Sequence, residues 1–496
     1  MTDAKTKVLR ETFGFEQFRK GQSEIIDCVL DPSIPGVLVI MPTGGGKSLL
    51  FQIPSIVYGG INIVVSPLIS LMKDQVDTLQ SKGVEAYCFN SSLSKKDKDS
   101  VRNAIQMGIV DILYVAPERF EDNDFTEMLA NEKINVFAVD EAHSISTWGH
   151  DFRPSYTKLK GVIDKLCPTQ VVALTATATP KVQDDICEQL GMKKAKRFIN
   201  GFYRDNLILK IDDSCKGNAR IDKIVKKVNS YHKKGIYTGI IYTGTRKNAE
   251  NICGRLNNFG VETTFYHGGM KDKDRKEIQD KWAKNGGTIV ATCAFGMGID
   301  RPDVRFVIHA NMPGNIESWY QEIGRAGRDG KPSVCQMYFS YGEDMFLQRF
   351  FIDMSNPPPE DVEKFWHWLN SEALEHDQFN GKVLIKMTQN EMAEQSGINP
   401  AIIGACIGIL KKNNIVKTIG RGQYEVTCYT KAELAPINYG LLKLKREEKT
   451  QHLQNMVRFI NDKTKCRFKN ILTYFGYKMV DDCGKCDWCQ RRDGRM

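Results

Sequence analysis

The stretch Asp140-Glu141-Ala-His143-Ser-Ile-Ser-Thr-Trp148-Gly-His-Asp-Phe152-Arg153-Pro154 carries the reading of the whole chain. It closes an apolar run, Val136-Phe-Ala-Val139, of the β-rich kind that makes a buried strand. Two carboxylates and an imidazole at a strand end are the parts of an ATP hydrolysis centre. Trp148, Phe152 and Arg153 follow closely and are the parts of a platform on which single-strand bases stack. An isolated Asp-Glu pair is more often a solvated turn. The segment upstream reverses that reading.

That segment is Met41-Pro-Thr43-Gly44-Gly45-Gly46-Lys47-Ser48, set between the apolar run Val37-Leu-Val-Ile40 and a helical stretch that starts at Leu49. Three glycines let backbone N–H groups wrap phosphate oxygens, and the following helix N-terminus adds its positive dipole end. Lys47 would reach the β and γ phosphates and the Ser48 hydroxyl would ligate Mg²⁺. Met41 stands where the general phosphate-loop pattern has its first glycine, so the pattern is matched incompletely. Asp140 would hold the same Mg²⁺, and Glu141 would polarise the attacking water.

The second half supplies the cations. Gln321-Glu-Ile-Gly-Arg325-Ala-Gly-Arg328 places two arginines three residues apart, on one face if the segment is helical. Guanidinium groups against a γ-phosphate stabilise the charge that develops in phosphoryl transfer. A basic surface helix is the alternative, but the glycines would waste helix propensity unless something approaches closely. Upstream, Ala294-Phe-Gly-Met-Gly-Ile-Asp300 follows the strand-like Thr288-Ile-Val-Ala-Thr292, a position where parallel α/β sheets place ligand loops.

Composition agrees without deciding. A chain of 496 residues predicts about three domains, and 41% hydrophobic residues suffice for buried cores. No apolar run approaches the ~20 residues of a membrane span, and Met1-Thr-Asp-Ala-Lys5 has no signal-peptide core. A soluble, intracellular protein is expected, in the cytoplasm or nucleoid of a bacterium or the nucleus of a eukaryote. The net charge of +9 fits a polyanionic partner but is weak evidence alone.

Of fourteen cysteines, most, including Cys28, Cys187 and Cys293, read as reduced packing residues. Cys466, Cys483, Cys486 and Cys489 differ. Two overlapping C-x-x-C steps bring three thiolates to one ion, and Cys466 joins from the start of a preceding helical segment. Such a set favours a closed, tetrahedral Zn²⁺ site, with a [4Fe–4S] cluster or unconnected cysteines as the alternatives.

Taken together these motifs resemble RecQ-type DNA helicases of superfamily two over roughly residues 7 to 350. Leu9, Phe13-Gly-Phe15, Phe18-Arg19 and Gln22 are similar to the family's motif 0. The resemblance implies that Phe15 stacks on adenine, Arg19 supports it and Gln22 bonds its edge. Ser66-Pro-Leu-Ile-Ser70, Leu174-Thr-Ala-Thr-Ala-Thr179, Ile240-Ile-Tyr-Thr-Gly-Thr-Arg246 and Tyr266-His-Gly-Gly269 resemble further motifs. The Ser146 to Pro154 block resembles the family's aromatic-rich loop, and the text from Cys466 to Gly476 its zinc-binding subdomain.

The implied fold is α/β. Two RecA-like lobes with parallel sheets occupy residues 1–204 and 205–350, followed by a winged-helix-like α+β insertion at 357–440 and a helical zinc module at 441–496. The implied activity is ATP-dependent 3′→5′ translocation on single-stranded DNA, unwinding duplex or branched DNA in repair or recombination, with ATP, Mg²⁺ and Zn²⁺ and no membrane. His143 and Gln321 would couple hydrolysis to grip.

The layout departs from the family's usual one. A segment opening at Asn356-Pro-Pro-Pro359 stands before the zinc module, and the few residues after Cys489 leave no room for the usual winged helix. Within the segment, Thr388 to Pro400, Ala401 to Lys412 and a hairpin turning at Gly420-Arg421-Gly422 read as helix, turn, helix and wing. Ile402, Ala405, Cys406, Ile409 and Leu410 are the expected apolar face. Lys417 and Arg421 are candidate phosphate contacts, with protein binding or bracing as alternatives. Two other functions stay open: an RNA helicase with the same engine, and an ATP-gated DNA clamp or annealing factor that does not unwind.

Overall fold

Short β-branched runs in the first two hundred residues form seven strands: β1 (Val37–Ile40), β2 (Ile61–Val65), β3 (Ala86–Phe89), β4 (Ile112–Val115), β5 (Ile134–Val139), β6 (Gln170–Thr175) and β7 (Lys196–Ile199). They make one sheet in the order β3-β4-β2-β5-β6-β1-β7, every pair parallel. The central β5 and β6 are buried at every residue, which is why Val136–Val139 and Val171–Leu174 are runs of apolar residues rather than alternating ones. Val136, Ala138, Val172 and Leu174 face a core shared with Leu50, Phe51 and Ile53. Phe137 projects to the opposite face, where the Phe120, Phe125 and Phe89 rings pack, the last two stacked at 4.1 Å. These coordinates are a computed structural model that describes residues 2–149, 151–199, 203–296, 301–376, 382–427, 437–479 and 481–495.

A second parallel sheet follows: β8 (Leu207–Asp212), β9 (Gly239–Tyr242), β10 (Thr263–Tyr266), β11 (Thr288–Ala291), β12 (Phe306–His309) and β13 (Ser333–Tyr338), ordered β10-β11-β9-β12-β13-β8. Parallel neighbours must be joined by crossovers, and helices such as Arg246–Asn258 and Asp272–Asn285 supply them. Each sheet is therefore covered and its strand ends are free to carry loops. Both sheets and the carboxy-terminal module belong to one compact unit, Met1–Met312, Ile316–Phe339 and Phe459–Met496.

The second unit comprises Pro313–Asn315 and Ser340–Arg458. Its three-stranded antiparallel sheet joins β14 (Lys382–Lys386), β15 (Val416–Gly420) and β16 (Gln423–Thr427) in the order β14-β16-β15. Thr388 caps the helix Gln389–Ser396 with a full capping box, its side chain accepting from Glu391 N–H while Glu391 reaches back to Thr388 N–H. Helix Pro400–Lys412 starts on an Asn399 cap with Pro400 in its first turn. The hairpin turns at Arg421 and Gly422, the latter at φ +68. Its buried helix face is Ile402, Ile403, Cys406, Ile407 and Leu410, while Ala405 and Ile409 sit half-exposed at the edge. The buried face therefore adds Ile403 and Ile407 to the expected Ile402, Cys406 and Leu410 and leaves Ala405 and Ile409 at its edge. Two other expectations change. Cys293 is exposed rather than a packing residue, whereas Cys28 and Cys187 are buried and free. Residues 297–300, including Asp300, and His150 lie outside the described residues. Among the described residues no helix is long and apolar enough to cross a membrane.

Leu410 is fully buried in the second unit's core. Leu410→Ala is expected to cost that unit about 2–5 kcal/mol, the range for an uncompensated core truncation. Urea denaturation followed by circular dichroism measures it; a loss below about 1 kcal/mol would mean the core collapses around the cavity.

Candidate nucleotide site and metal centre

The strand-to-helix turn after β1 is shaped by close approach. Gly44 and Gly46 adopt positive φ, +80 and +82, which side chains rarely tolerate. Space is as tight as the backbone. A Cβ on Gly46 would stand 2.5 Å from the Gln22 amide, and one on Gly44 would press on the Arg328 side chain at 3.2 Å. Met41, in place of the usual first glycine, is buried and donates its N–H to Thr175 O on β6. Ser48 leads the helix Leu49–Tyr58 and its hydroxyl makes no capping bond. Lys47 folds back, its Nζ donating to Met41 O at 3.1 Å and Pro42 O at 3.4 Å. Burial holds its ammonium below the usual lysine range; Glu141 and Asp140 oppose that shift and Arg328 reinforces it.

Asp140 and Glu141 follow β5 beside this loop. Burial pushes the Asp140 carboxyl up to about 6, and the neighbouring Glu141 charge adds to it. Tyr156 donates its hydroxyl to Asp140 O at 3.0 Å, fixing the backbone there. Glu141 sits at φ +48, an uncommon left-handed conformation for a residue with a side chain and one that recurs at functional sites. Its carboxylate lies 3.3 Å from His143 Nδ1, which is also 2.8 Å from Thr175 Oγ1. Thr175 Oγ1 donates to Thr177 O and accepts from Thr177 N–H, both at 3.2 Å. Gln321 of the second lobe donates to Thr177 Oγ1 at 3.3 Å. A continuous polar chain thus runs from Glu141 in one lobe to Gln321 in the other.

The arginines do not share a helix face. Helix Ile316–Ile323 ends before them, and Arg325 and Arg328 lie on successive turns, because Gly324 and Gly327 break the helix. A Cβ on Gly324 would stand 3.7 Å from Thr43 Cβ, an ordinary van der Waals contact, so this segment runs beside the phosphate loop. Arg325 donates to Gly296 O, while Arg328 lies over Gly44. Thr43, Gly44, Gly46, Lys47, Ser48, Asp140, Glu141, His143, Arg19, Gln321, Arg325 and Arg328 all line one cleft of about 540 Å³. Four cations around a glycine loop, two carboxylates and an uncommitted hydroxyl fit a polyphosphate with its dication.

Phe15, Arg19 and Gln22, expected to hold adenine, are arranged less simply. Phe15 is half-exposed, open for stacking. Gln22 is buried and both ends of its amide are in use: Oε1 accepts Arg19 N–H at 2.8 Å and Nε2 donates to Gly46 O at 3.2 Å. Arg19 donates to Gly44 O at 2.6 Å. Here both residues grip the phosphate loop.

On the aromatic loop, Trp148 is 36% exposed and the Lys181 ammonium lies over its ring, 2.9 Å from the centroid. Lys181 is a contact that the sequence did not announce. Phe152 is half-buried, and Arg153 pairs with Asp151 at 3.1 Å and donates to Pro67 O at 3.4 Å. A Cβ on Gly149 would fall 2.3 Å from His143 O, so this loop rests directly on the hydrolysis segment. Lys417 and Arg421 are exposed on the second unit's hairpin.

Cys466, Cys483, Cys486 and Cys489 are buried with all four Sγ within 4.8 Å of one another. Cys483 and Cys489 Sγ lie 3.8 Å apart, close to the edge of a tetrahedron with ~2.3 Å zinc–sulfur bonds. Backbone N–H groups of Arg467, Cys483, Cys486 and Cys489 point at sulfur at 3.2–3.5 Å, as thiolate ligands require. Beside them, buried Arg467 pairs two-pronged with Asp487 at 3.0 and 3.1 Å and donates to three carbonyls, Phe459, Ile460 and Asp462. The donor set fits Zn²⁺. Metal analysis is expected to find one zinc per chain without iron–sulfur absorption, and Cys486→Ser to melt this module because zinc binding is coupled to its folding. A soluble, zinc-free protein with an intact module would remove the structural site.

Known proteins agree with this geometry. Residues 19–186 match the family DEAD/DEAH box helicase, 219–330 the Helicase conserved C-terminal domain, and 440–490 the RecQ zinc-binding family. The chain is 45% identical over 350 residues to an ATP-dependent DNA helicase RecQ of Bacillus subtilis, covering 70% of this chain and 58% of that protein. It thus spans little more than half the length of the first curated relatives it matches. It is 33% identical over 486 residues to the probable ATP-dependent DNA helicase RecS of the same organism, covering 97% of this chain and 90% of that protein. The solved DUF1998 helicase MrfA bound to DNA shares the fold, with a TM-score of 0.56 at 16% identity over 86% of this chain and 62% of that one. Two parallel-sheet RecA-like lobes, a four-cysteine module and this relatedness make the chain a member of the RecQ family of superfamily-two helicases.

Proposed function

We propose that this chain is an ATP-dependent DNA helicase that translocates 3′→5′ along single-stranded DNA and opens duplex or branched DNA in repair or recombination, inside a cell's nucleoid or nucleus. The observation that carries the reading is the single cleft in which Lys47, Asp140 and Glu141 of one lobe meet Gln321, Arg325 and Arg328 of the other. A bound Mg²⁺ would supply positive charge to offset the charge that develops in phosphoryl transfer. Ser48 and Asp140 would hold it. Lys47 leaves its loop carbonyls to neutralise the β and γ phosphates, and Glu141 orients the attacking water. Arg328, which already lies on the phosphate loop, meets the transferring group, while Arg325 tethers the Gly296 loop.

Phe15 stacks on adenine; Arg19 and Gln22 reach it by releasing the loop. The His143–Thr175–Thr177–Gln321 chain passes the state of the cleft to the second lobe. Trp148, Phe152 and Arg153 grip the strand beside it, the base replacing Lys181 on the Trp148 ring. Lys417 and Arg421 supply a few phosphate contacts from the insertion. The corresponding division is residues 1–204 and 205–350 for the lobes, 357–440 for the winged insertion and 441–496 for the zinc module.

The deciding experiment is strand displacement on a forked duplex with a 3′ single-stranded tail, with ATPase stimulation compared between single-stranded DNA and RNA. Parent protein is expected to displace the strand and to prefer DNA, while Glu141→Gln loses about 10²–10⁴-fold in turnover. Stimulation without displacement would make the chain an ATP-gated clamp or annealing factor; stimulation by RNA alone would make it an RNA helicase.

The Asp140 carboxyl predicts a pH profile. An acid raised to about 6 is protonated below that pH, so kcat/KM for ATP, which reports the free enzyme, should fall as pH drops through 6 and level off above it. A profile flat down to about pH 5 would mean that the Asp140 carboxyl is not raised by its burial and by Glu141.

A further inference from the structure

The zinc module touches the nucleotide machinery at both ends of the inter-lobe bridge. Its Tyr474 hydroxyl donates to Glu317 at 2.6 Å, on the helix Ile316–Ile323 that leads into Gln321, Arg325 and Arg328. Glu317 is buried and Tyr474 half-buried, so the bond is partly shielded from water. Two ring pairs flank it: Trp319 against Phe459 at 5.0 Å and Tyr320 against Phe475 at 5.4 Å. On the first-lobe side, a Cβ on Gly476 would stand 2.7 Å from Pro180, the first residue of the helix that follows the Thr175–Thr179 loop. Gly476 also sits at φ +79. The module therefore holds the helix that carries Gln321 and abuts the loop that carries its partner Thr177.

We infer that the zinc module is a positioning element of the nucleotide site: Tyr474 and Glu317 set the helix Ile316–Ile323 so that Arg328 reaches the phosphate loop. The inference rests on the hydrolytic reading proposed above. The module contributes no group to the cleft itself. Its effect falls on the approach of the arginines, where a displacement of about one ångström can cost on the order of 10²-fold in rate. Nucleotide affinity, set mainly by the first-lobe loop, stays.

The test is Tyr474→Phe, with Glu317→Gln as the conservative change that keeps an acceptor for the Tyr474 hydroxyl. Each full-length protein is assayed for ATP turnover at saturating single-stranded DNA, for KM, for zinc content and for melting temperature. Tyr474→Phe is expected to lose roughly tenfold or more in kcat, with KM within about twofold and one zinc retained. Glu317→Gln is expected to recover most of the rate. Parental kcat in Tyr474→Phe overturns the inference, and so does an equal rise in KM with unchanged kcat. If Tyr474→Phe loses zinc or melts early, Glu317→Ala replaces it under the same criteria. Glu141→Gln, run alongside, separates the two levels: if it still turns over, the hydrolytic site has failed; if it is dead while Tyr474→Phe is normal, only the module's role has failed.

Discussion

The constraint on which the cleft depends is the lack of room around Thr43–Lys47. A Cβ on Gly44 would press on the Arg328 side chain, one on Gly46 would collide with the Gln22 amide, and one on Gly324 would touch Thr43, so the loop's glycines leave room for side chains from two other segments. This closeness also sets the electrostatics. Desolvated cations and carboxylates face one another across the cleft, and both Lys47 and Asp140 are displaced toward their neutral forms. Buried charges in such a state are costly unless paired. A polyanion in the cleft would favour the charged form of Lys47, and a dication beside it would favour that of Asp140.

Much of this was legible in the sequence because the signals are local. A glycine-rich turn between an apolar strand and a helix, an acidic pair at a strand end and overlapping C-x-x-C steps each need only a few adjacent residues to be recognised. The second unit's helices were equally readable, since Thr388 with Glu391 and Asn399 with Pro400 are start signals written in one turn of chain. The contacts that organise the site are of another kind. Tyr474 meets Glu317 across some 150 residues, Lys181 meets Trp148, and Gln22 turns to the loop instead of outward. Nothing in residue type or spacing distinguishes Tyr474, Glu317 or Lys181 from ordinary side chains, and nothing local tells which way Gln22 turns. The arginine pair shows the limit from the other side: its spacing suggested a helix face, and the glycines that weakened that helix were the better guide.

Two kinds of polar burial coexist in the first unit. Arg467 is fully satisfied, with a two-pronged carboxylate and three carbonyls, and so behaves as a rigid strut beside the metal ligands. The Glu141-to-Gln321 chain is built from single bonds near 3 Å through hydroxyls that can rotate. The first kind holds a shape; the second can rearrange when one member moves.

The sheet order has a consequence for biosynthesis. β1, which carries the phosphate loop, is the first strand of its sheet to be made, yet its neighbours are β6 and β7, the last two. At ribosomal rates of ~5–20 residues per second, β1 waits on the order of ten seconds before either partner emerges. During that interval an apolar strand and a glycine-rich loop stand without their sheet, exposed to aggregation and to chaperones. The glycine-rich loop after β1 is thus synthesised early and secured late, and the completion of the first lobe is gated by β6 and β7.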